Sequence, residues 1–239
     1  MIITTGTKQK CVTEASNALN DLFNKQKSRG FLFLVSGGSS LSLLEYLNPS
    51  YFGPHSTVCV LDERYSDDPS VSNMQQLEIT PFFTTAKRNR AHFIDTKSNP
   101  HESIHSVSDR FEHELRTWVA DINGTIIASV SIGQDAHTSG IMPFPDDHLF
   151  FDATFNNNNR WVSSYDAGHR NKFRHRITTT IPFLRLIDHA IIYTQGEDKR
   201  FALNKILSAE GTLYESPGRI WREIQNAHIY TDISGIKYI

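Results

Sequence analysis

The sequence predicts an α/β protein built on a mostly parallel sheet, and three observations predict it. Residues 31–35, 57–61, 125–131 and 189–194 are four short runs dominated by apolar residues, without the in–out alternation of a half-exposed strand. Such continuity marks a strand covered on both faces, as in a parallel sheet. Stretches with helical spacing lie between these runs, and strand–helix alternation implies right-handed crossovers. Each run also discharges into a small group of glycines and chemically capable polar residues.

The chain opens with a helical stripe of Cys11, Val12, Ala15, Leu19, Leu22 and Phe23, which Gly30 ends. After the first strand a second helical stretch begins near Leu41. Between 101 and 119, Ile104, Val107, Phe111, Leu115 and Trp118 recur on one stripe and predict a longer helix. Phe201, Ala202, Leu203, Ile206 and Leu207 predict another after the fourth strand, and residues 227–230 fit a short closing strand. The segment 143–180 has poor periodicity and is expected to form excursion loops over the sheet, with the asparagine tract 156–159 as a surface loop. No repeat or linker divides the chain, so one domain over 1–239 is expected.

Composition narrows the function classes. At 239 residues the chain can bury a full core without staples. Lys and Arg number 24 against 26 Asp and Glu, a formal charge of −2, which argues against a binder driven by charge onto nucleic acid or a membrane. The aromatic content of 11% excludes a disordered chain. Two cysteines, Cys11 and Cys59, are too few for a disulfide scaffold, and Cys59 sits in an apolar run that reads as core. Residues 1–9 carry no long apolar block, and no run approaches the roughly 20 apolar residues of a membrane span, so a cytoplasmic location is expected.

The chemistry lies where the strands end. In open α/β sheets ligands bind outside the carboxyl ends of the strands, so the four polar groups are expected to converge on one crevice. Ser36-Gly37-Gly38-Ser39-Ser40 reads either as an anion cradle at a helix start or as a tight turn with serine caps. Asp62-Glu63-Arg64 reads either as a solvated strand end or as an arginine that holds anionic or carbonyl oxygens, oriented by a carboxylate. Asp135-Ala136-His137 sets a carboxylate two residues from an imidazole, a pattern for a general base with an orienting partner, although a structural loop histidine has the same spacing. Arg170, Lys172, Arg174 and Arg176 alternate along a segment that is either a wet basic loop or a phosphate grip. Lys199 opens a helix against its dipole, which hints at an anionic partner. His101 and His105 lie four apart on the expected helix, but no third ligand accompanies them, so no metal site is expected. No serine occupies a G-x-S-x-G elbow, which argues against a covalent serine hydrolase.

These residues, taken in order, resemble the 6-phosphogluconolactonase family, within the larger group that includes glucosamine-6-phosphate deaminase. Residues 35–39 resemble the family's first glycine loop, and Leu61-Asp62-Glu63-Arg64 with Ser72-Asn73 its D-E-R…S-N segment. Gly133-Gln134-Asp135-Ala136-His137-Thr138 with Phe144-Pro145 resembles its G-x-D-G-H-T…F-P segment. Arg176-Ile177-Thr178 resembles its R-I-T strand start, Gly196-Glu197-Asp198-Lys199 its G-x-x-K, and 221–227 its closing segment. Three departures stand out. Ala136 replaces the usual glycine, Ser40 a common threonine, and Leu41 a frequent proline. If the backbone at 136 requires positive φ, alanine costs on the order of 1 kcal/mol there.

The resemblance implies a Rossmann-like sheet with helices on both faces, a site without metal or cofactor, and hydrolysis of 6-phosphoglucono-1,5-lactone in the oxidative pentose phosphate pathway. It makes His137 the catalytic base, with Asp135 and Arg64 beside it. It assigns substrate and phosphate contacts to Gly37, Gly38, Ser39, Ser40, Asp62, Asn73, Arg176 and Lys199. The expected partner is a small sugar phosphate, with no nucleic acid or membrane, and the expected assembly a monomer or small homo-oligomer. Two alternatives remain. A glucosamine-6-phosphate deaminase usually carries Tyr after Asp-Glu and a glutamate after its histidine, where this chain has Arg64 and Ser139-Gly140-Ile141-Met142-Pro143. A non-catalytic sugar-phosphate sensor on the same fold normally adds a DNA-binding helix pair, and none is evident here.

Overall fold

The structure is a computed structural model and describes residues 1–66, 68–157 and 159–236. In chain order the elements are β1 (Ile2–Thr5), α1 (Lys8–Gln26), β2 (Phe31–Val35), β3 (Ser56–Val60), β4 (Asp62–Arg64), α2 (Asn73–Glu78), α3 (Pro81–Arg88), β5 (His92–Phe93), α4 (Ile104–Asp121), β6 (Thr125–Val130), α5 (His148–Phe155), β7 (Val162–Asp166), β8 (His175–Thr179), α6 (Ile181–Leu184), β9 (His189–Thr194), α7 (Arg200–Leu207) and β10 (Asn226–Thr231). Seven strands form one sheet in the order β1-β10-β9-β6-β2-β3-β5, and every neighbouring pair is parallel. The chain winds outward from β2 through β3 to β5, then returns to the other side of β2 at β6. That reversal between β2 and β6 is where such sheets open a crevice.

The four apolar runs are the sheet's adjacent inner strands, β9-β6-β2-β3. Period-two alternation sends their side chains to opposite faces, and each face has its own core. Leu32 and Leu34 of β2 join α4 (Val107, Phe111, Leu115) and α7 (Ala202, Leu203, Ile206) on one face. Phe31, Phe33 and Val35 join α1 (Cys11, Ala15, Leu19, Phe23) and α3 (Phe82, Phe83) on the other. The α/β class with helices on both faces is therefore what the chain adopts. Cys11 and Cys59 are both buried free thiols.

The structure departs from the local expectations in three places. The stretch 143–180 is not a set of loops: it holds α5, β7 and β8, and β4-β8-β7 form a second, antiparallel sheet. The long helix starts at Ile104, where the Ser103 hydroxyl accepts from the Ser106 N–H, so His101 lies outside it at φ +68° and shares no helix face with His105. The stretch after the glycine loop is helical but runs as 3-10 turns from Gly38 to Tyr46, with the Ser40 hydroxyl bonded back to the Ser36 carbonyl. Of the asparagine tract, Asn156 ends α5, and Asn158 lies outside the described residues.

Glu63 ties β4 of the second sheet to the start of α2. Its buried Oε1 accepts the N–H groups of Arg64 and Asn73, both at 2.7 Å, and its Oε2 accepts the Met74 N–H and the Ser72 hydroxyl at 2.9 Å. Burial pushes this carboxyl up from its ordinary range, against the pull of those donors. Glu63→Gln keeps Oε1 but turns an amide toward the Met74 N–H. One buried donor without an acceptor costs about 1–3 kcal/mol. For a chain of this size the melting temperature should fall by roughly 2–12 °C, and an unchanged thermal melt would remove Glu63 as the anchor of α2.

Candidate active site

The sheets meet at a cleft of about 230 Å³ beyond the carboxyl ends of β2, β6 and β9. Nine of the eleven residues singled out from the sequence line it: Gly37, Gly38, Ser39, Asp62, Arg64, Asn73, His137, Arg176 and Lys199. Asp135 stands behind His137, and Ser40 is turned away. The Ser40 hydroxyl lies 2.6 Å from the Ser36 carbonyl and 2.7 Å from the Ser36 hydroxyl, and its N–H donates to Ser131 Oγ. Its hydrogen bonds are internal to the loop, and Ser40 is not among the residues that line the cleft.

The glycine loop brings backbone to the cleft. Gly38 adopts φ +73°, and a Cβ on Gly37 would fall 2.6 Å from Asn73 Oδ1. Asn73 in turn donates its amide to the Asp62 carbonyl at 2.8 Å, which fixes α2 against β4.

The second sheet supplies the cations. Arg64 on β4 and Arg176 on β8 are directly opposed across the antiparallel pair. Like charges in that position repel. Burial pushes the Arg64 guanidinium down from its ordinary value, Asp62 opposes that shift, and Arg176 adds to it. An anion between the two would relieve the repulsion. Asp62 pairs with Arg176 instead of Arg64, and both partners of that ion pair are buried. Arg64 donates to the Val71 carbonyl at 2.9 Å and lies over the Phe173 ring. The Asp62-Glu63-Arg64 segment is thus buried strand, not solvated strand end, and neither of its carboxylates forms an ion pair with Arg64. Of the other basic residues in the alternating segment, Arg170 pairs with Asp146 and Arg174 with Asp166 at the surface, so Arg176 is the one that reaches the cleft.

The imidazole stands on the loop after β6. His137 Nδ1 lies 2.5 Å from Asp135 Oδ1, which also accepts the His137 N–H at 3.1 Å. A proton on Nδ1, donated to the carboxylate, leaves Nε2 with its lone pair. Burial raises the Asp135 carboxyl, but the hydrogen bond and charge of His137 outweigh it and hold the group below its usual range. The pairing therefore favours the fold above about pH 3.8 and is lost as pH falls through the depressed folded value. Gly133 is required beneath the ring, since a Cβ there would lie 2.0 Å from Nδ1. Ala136 adopts φ +69°, so the backbone does require the left-handed region, at about 1–2 kcal/mol for alanine. The segment near 217–222 holds it there: the Gly218 N–H donates to the Ala136 carbonyl at 2.9 Å, and Trp221 Nε1 donates to Thr138 Oγ1 at 2.8 Å.

Lys199 ends a 3-10 turn over Glu197–Lys199, just ahead of α7. Its acidic neighbours are engaged elsewhere, Glu197 with Arg200 and Asp198 with Gln134. Among the described residues no ion pair holds Lys199. With Arg64 and Arg176 it gives the cleft three cations against the single carboxylate of Asp62.

Positions 6–229 match the family described as glucosamine-6-phosphate isomerases/6-phosphogluconolactonase. The chain belongs to this family. Solved structures agree on the fold. The 6-phosphogluconolactonase from Shewanella baltica superposes with a TM-score of 0.74 at 13% identity, covering 97% of this chain and 96% of that one. The enzyme of that name from Leishmania guyanensis gives 0.73 at 17% identity, covering 99% and 98%. That from Thermotoga maritima gives 0.65 at 19% identity, covering 96% and 98%. No curated protein sequence is similar enough to this chain to count as a match.

Within this glucosamine-6-phosphate isomerase/6-phosphogluconolactonase fold, the cleft has further walls that motif reading missed. Ser131, Ser139 and Gln195 also line it. Each sits at or just past a strand end or in the histidine loop, and that position was the one signal available. Among the described residues no group of three or more His, Cys, Asp or Glu side chains is arranged to hold a metal, and no helix is long and apolar enough to cross a membrane.

Proposed function

We propose that the cleft hydrolyses 6-phosphoglucono-1,5-lactone to 6-phosphogluconate. One observation carries this reading: a carboxylate-backed imidazole and three cationic side chains, drawn from four distant stretches of chain, share one cleft. Such a set suits a substrate with a dianionic handle and a cyclic ester. Arg64, Arg176, Lys199 and the Gly37–Gly38 backbone bind the phosphate and the oxygens of the sugar, so that handle affinity becomes orientation of the ester. His137 Nε2 takes a proton from water as its oxygen attacks C1. Charge gathers on the former carbonyl oxygen, where a guanidinium or backbone N–H can meet it. The bond from C1 to the ring oxygen then breaks, and the imidazolium returns its proton to that oxygen, which leaves as the hydroxyl of the open chain. Asp135 holds the ring and supports the cation throughout.

The deciding experiment is a pH-controlled lactonase assay on freshly generated substrate, corrected for spontaneous hydrolysis. Turnover well above the background is expected. Ammonia release from glucosamine 6-phosphate in place of lactone turnover would move the chain to the isomerase branch, and thermal stabilisation by sugar phosphates without any turnover would make it a sensor. Lys199 gives a cleaner probe of the handle, because no ion pair holds it among the described residues. A charge-assisted hydrogen bond is worth about 1.5–3 kcal/mol. Lys199→Ala should therefore raise KM by roughly 10–150-fold with a smaller change in kcat; an unaltered KM would take Lys199 out of the phosphate site.

A further inference from the structure

We propose that the Ser139 hydroxyl is a substrate contact, donating a hydrogen bond to an oxygen of the polyhydroxylated part of the sugar phosphate. The assignment rests on the reading of the cleft given above. Three observations carry it.

Ser139 lines the cleft two residues after His137. It is 5% exposed, and its Oγ is buried with no hydrogen-bond partner among the described residues. Buried hydroxyls are normally satisfied, so one that is not calls for an explanation in function. It is also in company: Arg64 Nε, Asn73 Oδ1 and Arg176 Nε on the same cleft wall are buried and unpartnered too. Donors and acceptors together are what a ligand rich in hydroxyl and phosphate oxygens would take up.

The backbone of Ser139 is in the left-handed region, at φ +50°. It sits in the turn closed by the Ile141 N–H on the Thr138 carbonyl at 2.9 Å. Glycine adopts this conformation without penalty, whereas serine does not. Strain of this kind persists where the surroundings over-determine it, and it gathers at working sites.

Both neighbours of Ser139 are pinned. Thr138 Oγ1 receives Trp221 Nε1. The Gly140 N–H donates to Thr178 Oγ1 at 3.0 Å, and the Gly140 carbonyl accepts from the Tyr165 hydroxyl at 2.6 Å. A Cβ on Gly140 would come within 2.9 Å of the Asp62 Cβ, so the turn cannot slide by one residue. The hydroxyl is thus held in place before any ligand arrives, which is the condition for a contact that costs little to form.

The test uses Ser139→Gly and Ser139→Ala in the full chain, with 6-phosphogluconate and inorganic phosphate as probes. Both variants should bind 6-phosphogluconate roughly tenfold more weakly, the loss of about one hydrogen bond, while affinity for inorganic phosphate stays as in the wild type. Ser139→Gly should also melt at a higher temperature than the wild type, because it sheds both the strained backbone and the unsatisfied hydroxyl. A variant that is more stable yet binds the sugar more weakly is a result a purely structural serine could not produce. Wild-type affinity for 6-phosphogluconate in both variants would overturn the assignment, as would a lower melting temperature of Ser139→Gly. If the wild type itself neither turns over the lactone nor binds 6-phosphogluconate, the reading of the cleft fails, and the role of Ser139 with it.

Discussion

His137→Ala should lower kcat by about 10²–10⁴-fold, the range that a positioned general base contributes. The cleft keeps Arg64, Arg176 and Lys199 in that variant, so affinity for 6-phosphogluconate should change little. The separation matters. An imidazole that merely filled space would, on removal, loosen the loop and weaken binding and turnover together. Here the loop has independent supports: the Gly218 N–H on the Ala136 carbonyl, and Trp221 on Thr138. Asp135→Asn is the companion variant. It removes the carboxylate that accepts both the Nδ1 proton and the His137 N–H, and leaves the ring in place. It should reduce kcat by less than the loss of the imidazole itself, since orientation and support of the cation are lost but the base remains. Steady-state kinetics of the two variants, with product affinity measured separately, checks the ordering. Unchanged turnover of His137→Ala would end the general-base role.

The parts of this site that were legible in the sequence are those with a local cause. A strand buried on both faces must be apolar throughout, so β2 and β9 announce themselves, and the residues just past their ends can be named with them. The glycines at 37, 38 and 133 are demanded by close approach or by positive φ, and they punctuate the sequence accordingly. The second sheet had no such signature. Its strands β4, β7 and β8 are three to five residues long and polar, and β4 pairs with a partner 114 residues away. Nothing local in Asp62-Glu63-Arg64 says that Arg64 will lie beside Arg176, or that Asp62 will turn to the distant arginine instead of the near one. Ser40 lies outside the cleft lining, and its case is the opposite one. Its type and position suit a ligand contact, but a hydroxyl can be consumed by its own loop, and only the geometry of Ser36 and Ser131 tells which. Ser139 was passed over because serine in a polar loop carries no information until its backbone angle and burial are known.

Arg176→Ala should have the largest effect on stability, and this changes what that variant can be used for. The family resemblance makes Arg176 a substrate or phosphate contact, a role whose loss would raise KM. In the fold it is 4% exposed and paired with Asp62, itself 3% exposed. Removing the guanidinium leaves a carboxylate buried without its counter-charge, a change that costs about 3–5 kcal/mol. At roughly 2–4 °C per kcal/mol for a chain of this length, the melting temperature should drop by about 6–20 °C. A rise in KM would then be confounded with partial unfolding. Asp62→Asn combined with Arg176→Ala separates the two roles. The asparagine removes the stranded charge and keeps a side chain of nearly the same shape, so the double variant should recover much of the lost stability. It cannot recover the cation, so weak binding of 6-phosphogluconate should persist at temperatures where the protein is fully folded. Arg174→Ala is the control, since its exposed pair with Asp166 contributes little and the melt should not move. If the double variant regains wild-type affinity along with its stability, Arg176 serves the fold alone, and the phosphate grip must be reassigned to Arg64 and Lys199.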